Sequence, residues 1–177
     1  MEKEELYQKV LASRELQVNV PKRFKGAVLS DFDKPVLDKV FEFTQRGGWR
    51  SMVIVGNVGT GKTHLACAVA LDEIKNQSVI YTTAYSLSQR IIADKGSDFF
   101  KNYDLLVIDE IGRSFDTKAE KDRFFDLINY RYENEMPVVL CGNVTPEALR
   151  DVVGEAIADR LRENMTFLTL TGKSRRS

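Results

Sequence analysis

Apolar positions change period along this chain, and the changes divide it into elements. Residues 3–17 carry Leu6, Val10 and Leu11 among charges, the spacing of one helical face. Val18 to Asp33, punctuated by Pro21 and Gly26, reads as a loop. From Pro35 to Gln45 the helical period returns at Val36, Leu37, Val40, Phe41 and Phe43, with proline in the first turn, and Gly47-Gly48 ends it. Short continuous apolar runs then predict strands at 52–56, 78–83, 104–109, 137–142 and 166–170. Helical patterns at 62–76, 85–95, 118–134 and 154–163 fall between them, with a short turn near 146–151. Strands that are apolar throughout, separated by helices, predict an α/β fold. The sheet should be parallel, five-stranded and covered on both faces, a three-layer α-β-α sandwich.

Composition narrows the picture without deciding it. At 177 residues and 43% hydrophobic, the chain can bury one proper core. Charge is balanced, 26 basic against 26 acidic residues, so nucleic-acid contact would need a local patch or an assembled surface. Cys67 and Cys141 lack metal-ligand spacing and read as buried reduced thiols. Met1-Glu2-Lys3-Glu4-Glu5 opens no apolar run, and no stretch approaches the length of a membrane span. The expectation is a cytoplasmic protein with no membrane partner.

The chemistry starts at Gly56-Asn57-Val58-Gly59-Thr60-Gly61-Lys62-Thr63, which fits the phosphate-loop pattern G-x-x-x-x-G-K-[ST]. Its context fits as well, since the run 51–55 enters as a strand and a helical pattern leaves from Thr63. Glycines let successive backbone N–H groups converge on an anion, and the helix N-terminus adds its dipole. Lys62 would reach the β- and γ-phosphates of a nucleotide, and the Thr63 hydroxyl would coordinate Mg²⁺.

A second apolar strand, Tyr103 to Ile108, ends in Asp109-Glu110. Strand C-termini line the ligand crevice of a parallel sheet, so Asp109 would help hold Mg²⁺ and Glu110 would polarise an attacking water. A carboxylate pair favours hydrolysis over transfer to a second substrate. Asn143 ends the strand run Pro137 to Gly142; between the other two strands it would face the γ-phosphate, although asparagine also simply forms turns before Val144-Thr145-Pro146. In Gly154 to Glu163 the residues Ala156, Ile157 and Leu161 give a buried face, leaving Arg160 and Arg162 to project. Periodicity alone makes these solvated arginines bridging Glu155, Asp159 or Glu163.

Four strings, taken in order, resemble the P-loop AAA+ ATPases of the DnaC/DnaI helicase-loader and IstB transposition-helper clade. They are Val20-Pro21-Lys22-Arg23-Phe24-Lys25-Gly26-Ala27 with Asp31-Phe32, the loop continued through His64-Leu65-Ala66, Asp104 through Ile111-Gly112, and Gly154-Glu155 leading to Asp159-Arg160-Leu161-Arg162. The likeness covers roughly residues 18–172. It implies ATP and Mg²⁺ as ligands, a sheet order of 5-1-4-3-2 and no separate lid domain. It gives Arg160 the part of an arginine finger acting on a neighbouring subunit's nucleotide in a head-to-tail oligomer. By the same likeness Asn143 matches sensor 1, Val20, Arg23 and Phe24 match a segment near the adenine, His64 belongs to the loop's surroundings, and Arg176 matches sensor 2.

As partners the resemblance implies a hexameric replicative helicase and single-stranded DNA. Residues 18–177 form the expected ATPase domain; 1–17 is a short helix that either does the work of the helicase-gripping domain of loaders or marks a shorter, phage-like member or an isolated ATPase core. Within Tyr85 to Asn102, a region that contacts DNA in loaders, Arg90, Lys95 and Lys101 are the available cations, with Phe99 and Phe100 for stacking. The same residues read as an ordinary amphipathic helix with core aromatics. Two rival functions share the engine: a transposition helper binding duplex DNA, and a nucleotide-gated adaptor whose turnover is incidental.

Overall fold

The apolar runs find each other through their backbones. In the computed structural model, which describes residues 2–93, 96–112 and 115–171, five strands form one sheet. They are β1 (Ser51–Gly56), β2 (Val79–Thr83), β3 (Leu105–Ile111), β4 (Val138–Gly142) and β5 (Met165–Leu170). All neighbours are parallel and the order is β2-β3-β4-β1-β5, the expected 5-1-4-3-2 counted from the other edge. β1 is central, with Ser51 opposite Val138 of β4 on one side and Met165 of β5 on the other.

Each strand serves two cores by alternation. Met52 and Ile54 of β1, Leu105 and Val107 of β3, and Val139 and Cys141 of β4 point to one cluster. Val53 and Val55, Leu106 and Ile108, and Val138 and Leu140 point to the other. The first cluster is closed by α2 (Lys34–Gln45) and α3 (Lys62–Glu73). The second is closed by α4 (Ala84–Ile92), α5 (Gly96–Lys101), α6 (Lys118–Glu133), α7 (Pro146–Val153) and α8 (Glu155–Glu163). Side-chain caps fix several starts: Asp33 accepts from the Val36 amide, Thr145 from the Ala148 amide, and Thr117 with Glu120 forms a reciprocal box.

Two expectations are corrected. The segment near 146–151 is a helix rather than a turn, because Thr145 caps it and Pro146 occupies its first turn. The helix expected over 85–95 stops at Ile92 and a second short one begins at Gly96. There the chain passes so close to α4 that a Cβ on Gly96 would lie 1.7 Å from the Arg90 carbonyl oxygen. The expected N-terminal helix forms as α1 (Glu2–Gln17), where Leu11 packs on the core while Leu6 and Val10 are exposed. After α1 the chain covers the sheet edge, where the Tyr81 amide of β2 donates to the Val18 carbonyl at 2.8 Å. No helix among the described residues is long and apolar enough to cross a membrane.

One polar group is central to this packing. Arg131 of α6 is fully buried, and its guanidinium donates to the carbonyls of Phe100 and Tyr103 (3.0 and 2.9 Å) and of Asp104 and Pro137 (2.7 and 2.8 Å). It therefore ties α5 to the entries of β3 and β4. Burial pushes its pKa down to about 9, against the pull of the nearby Asp104 carboxylate. Arg131→Met would strand four carbonyls, and the expected loss in urea-unfolding free energy is about 3–5 kcal/mol. Arg162→Ala, which removes only an exposed 3.3 Å pair with Asp159, should cost under about 0.5 kcal/mol in the same measurement. Equal losses would contradict the anchoring role.

Candidate nucleotide site

The site begins where β1 runs out. Gly56 has φ 149°, and a Cβ there would sit 2.3 Å from the Leu170 carbonyl oxygen of β5, so no other residue fits without displacing that strand. The loop that follows is tightened from within: the Thr60 hydroxyl donates to the Asn57 carbonyl at 2.9 Å, and Lys62 Nζ donates to the same oxygen at 2.7 Å. Gly61, left-handed at φ 98°, starts α3 without any side-chain cap. That leaves the first amides of the helix facing the cleft, the arrangement that binds anions.

The opposite wall comes from β3. Its carboxylates sit in contrasting environments. Asp109 is 3% exposed; its Oδ2 accepts from the Tyr81 hydroxyl at 2.8 Å and its Oδ1 from the Glu110 amide at 2.7 Å. Glu110 is exposed and left-handed at φ 58°, inside a break in the β3–β4 register between Ile108 and Ile111. The bulge turns the second carboxylate out of the sheet, at a backbone cost of order 1–3 kcal/mol. β4 lies between β3 and β1, so Asn143 at its end emerges between the acidic pair and the loop.

These walls enclose a cleft of about 620 Å³. Val58, Gly59, Gly61, Lys62, Thr63 and His64 line one side, and Asp109, Glu110 and Asn143 the other. Arg23 and Phe24 close it from the 3₁₀ turn Lys22–Phe24. His64 Nε2 lies 2.7 Å from Asp31 Oδ2, and its ring meets Phe32 edge-on at 5.3 Å, so it fastens this preceding segment to α3. Val20 is buried in the core and does not line the cleft.

The donor set suits magnesium, which takes one or two protein oxygens and completes its shell with phosphate and water. The Thr63 hydroxyl and Asp109 line the same cleft, and the hydrogen-bond donors on Asp109 among the described residues are neutral. Nearby thiols are not available for chemistry: burial, then the Asp109 charge, pushes Cys67 up to about 12, and burial likewise raises Cys141.

Other expected residues lie elsewhere. Arg160 is half-buried on α8, outside the cleft, rather than projecting freely as periodicity suggested. Its guanidinium lies 5.0 Å from the Phe125 ring centroid and 5.6 Å from that of Tyr132, and donates to the Ala156 carbonyl at 3.0 Å. Two aromatic faces on α6 explain the difference. Arg90 stacks on Phe99 at 3.6 Å, Lys101 pairs with Asp98 at 2.9 Å, and Phe100 is buried. Lys95 and Arg176 fall outside the described residues. Sequence reasoning missed Tyr81; the available signal was a tyrosine in an apolar strand, whose hydroxyl must find a partner once buried.

The family model for IstB-like ATP binding protein matches residues 39–177. The chain belongs to that family. Among curated proteins it is 32% identical over 126 residues to the uncharacterized protein YdaV of Escherichia coli strain K12, and 29% identical over 126 residues to the replicative helicase loader DnaC of the same strain. Each alignment covers 66% of this chain and 51% of the relative, so the match spans about half the length of these proteins. Among solved structures, that of DnaI superposes with a TM-score of 0.77 at 21% identity, covering 92% of this chain and 99% of that one. At this identity the likeness speaks for the fold alone.

The left-handed backbone at Glu110 reverses the usual order of two substitutions. Alanine there carries about 1–2 kcal/mol of left-handed strain, while glycine gives back about 0.5–1 kcal/mol through its freer unfolded chain. Glu110→Gly is therefore expected to be more stable than Glu110→Ala by about 1 kcal/mol in urea unfolding. The opposite ranking would mean that the residue is not held left-handed.

Proposed function

We propose that this chain is the ATPase module of a replicative-helicase loader, hydrolysing ATP with Mg²⁺ in a head-to-tail assembly that contacts single-stranded DNA. The observation that carries the reading is one cleft in which Lys62 and Thr63 face Asp109, Glu110 and Asn143. Lys62 and the first amides of α3 bind the β- and γ-phosphates, while Gly56, Asn57 and Thr60 set the shape of the loop that presents them. Magnesium, when bound at Thr63 and Asp109, offsets charge building on the phosphates. Glu110, exposed at the cleft wall, accepts a proton from water, and Asn143 orients that water. Arg23 and Phe24 take the base side.

Arg160 supplies a cation to a neighbouring subunit's nucleotide. Its place on α8, outside the chain's own cleft, supports action in trans, and the aromatic faces beneath it support a fixed reach. Residues 1–17 are proposed as a partner-binding segment ahead of the ATPase domain at 18–177, with the helicase as that partner. Arg90, Lys95 and Lys101 remain the proposed DNA cations. Existing contacts of Arg90 and Lys101 leave them exposed edges rather than free side chains.

ATP turnover measured against protein concentration, with single-stranded or duplex DNA, tests the reading. Turnover per chain should rise steeply with concentration and fall for Arg160→Ala by on the order of 10³-fold or more, the scale of in-trans fingers. Mixing Arg160→Ala with Lys62→Ala should restore part of it through hybrid sites. Flat turnover, indifferent to Arg160, would remove the shared site. Stimulation by duplex alone would point to a transposition helper instead.

A further inference from the structure

Behind the acidic wall lies a small polar cluster in which Asp109 meets side chains to which the proposed reaction gives no part. Three sheet residues converge there: Tyr81 on β2, Asp109 on β3 and Cys141 on β4, with Cys67 of α3 packed against them. The Tyr81 hydroxyl donates to Asp109 Oδ2 at 2.8 Å, and the buried Cys141 thiol lies within reach of the same carboxylate's charge. Tyr81 and Cys141 are both fully enclosed, at 3% and 0% exposure. Tyr81 is itself pinned. Its amide donates to the Val18 carbonyl at 2.8 Å, and its own carbonyl accepts from Asn19 Nδ2 at 3.5 Å. A rigidly held donor thus meets Asp109 from inside the protein, while the carboxylate also borders the cleft.

We infer that Tyr81 is a positioning residue for the metal-side carboxylate, its hydroxyl fixing the rotation of Asp109 so that an oxygen is presented to a divalent cation. This rests on the reading of the cleft as an ATP–magnesium site. The physical ground is general. Magnesium demands near-ideal octahedral geometry, so a carboxylate free to rotate binds it less well than one already aligned. Hydrogen bonds behind metal ligands supply that alignment, and losing one typically lowers metal affinity 10–100-fold. Tyr81 acts on the metal through Asp109, leaving the phosphate loop untouched.

A merely structural tyrosine would behave differently, because its loss would weaken every binding mode alike. The experiment is a Mg²⁺ titration of ATP binding, read by calorimetry or a fluorescent ATP analogue, on wild type, Tyr81→Phe and Cys141→Ala, with each ATP affinity also measured in EDTA. Tyr81→Phe should move the Mg²⁺ midpoint up about tenfold and leave the EDTA affinity unchanged. Cys141→Ala, which takes away the thiol beside Asp109 but leaves the Tyr81 hydrogen bond in place, should move it the same way by a smaller factor. It carries the test should Tyr81→Phe fail to fold. Superimposed Mg²⁺ curves, or equal weakening with and without metal, would overturn the assignment and leave the ATP site standing. Wild-type binding indifferent to Mg²⁺ would instead remove the metal reading itself, and Tyr81's role with it.

Discussion

Insertion of β4 between β1 and β3 is the constraint on which the site depends. Parallel pairing brings all three C-termini to one edge, and the order decides which residues meet there. With β1 and β3 one strand apart, the phosphate loop and the acidic pair face each other across the width of β4, and Asn143 fills the gap. Neighbouring strands lie roughly 5 Å apart, so the two walls stand about 10 Å from each other, the scale of a triphosphate and its ion. A different insertion point would separate the same residues and leave two unrelated half-sites.

Alternation and its local failure then divide labour between two adjacent carboxylates. Regular pleating turns Asp109 inward against Tyr81, where neutral donors hold it. Continued pleating would bury the next acidic side chain against the opposite core, which is expensive for a carboxylate. The break in register at Glu110, with its left-handed backbone, sends it into the cleft instead. One carboxylate is fixed and enclosed, the other exposed and strained. That contrast suits a pair of unlike roles, cation holding and proton acceptance, better than two equivalent ligands.

Much of this was legible in the chain because the signals are local. The phosphate-loop pattern needs only consecutive residues, and the five apolar runs need only their own length to declare buried parallel strands. Order across the sheet came from the family likeness, since no local feature encodes which strand lies beside which. What stayed hidden depends on contacts distant in sequence. Arg131 looks like any helix arginine until four carbonyls from α5 and from the segments entering β3 and β4 surround it. Arg160 reads as solvated until Phe125 and Tyr132, about thirty residues earlier, are seen beneath it. Tyr81 reads as an apolar filler until its register beside β3 brings its hydroxyl to Asp109. The helix at Pro146–Val153 is a different case: its cap, Thr145, and its proline are both local signals present in the sequence.

The central claim is that loop and acidic wall form one nucleotide site. Calorimetric titration of ATP with Mg²⁺ into wild type, Lys62→Ala and Glu110→Gln tests it most directly. One site per chain is expected in wild type, with Glu110→Gln binding at least as tightly, since the proposed part of its carboxylate is to serve the water rather than the phosphates. Lys62→Ala should bind roughly 10- to 100-fold more weakly, the worth of a charge-assisted hydrogen bond. Equal affinity in wild type and Lys62→Ala would contradict the account.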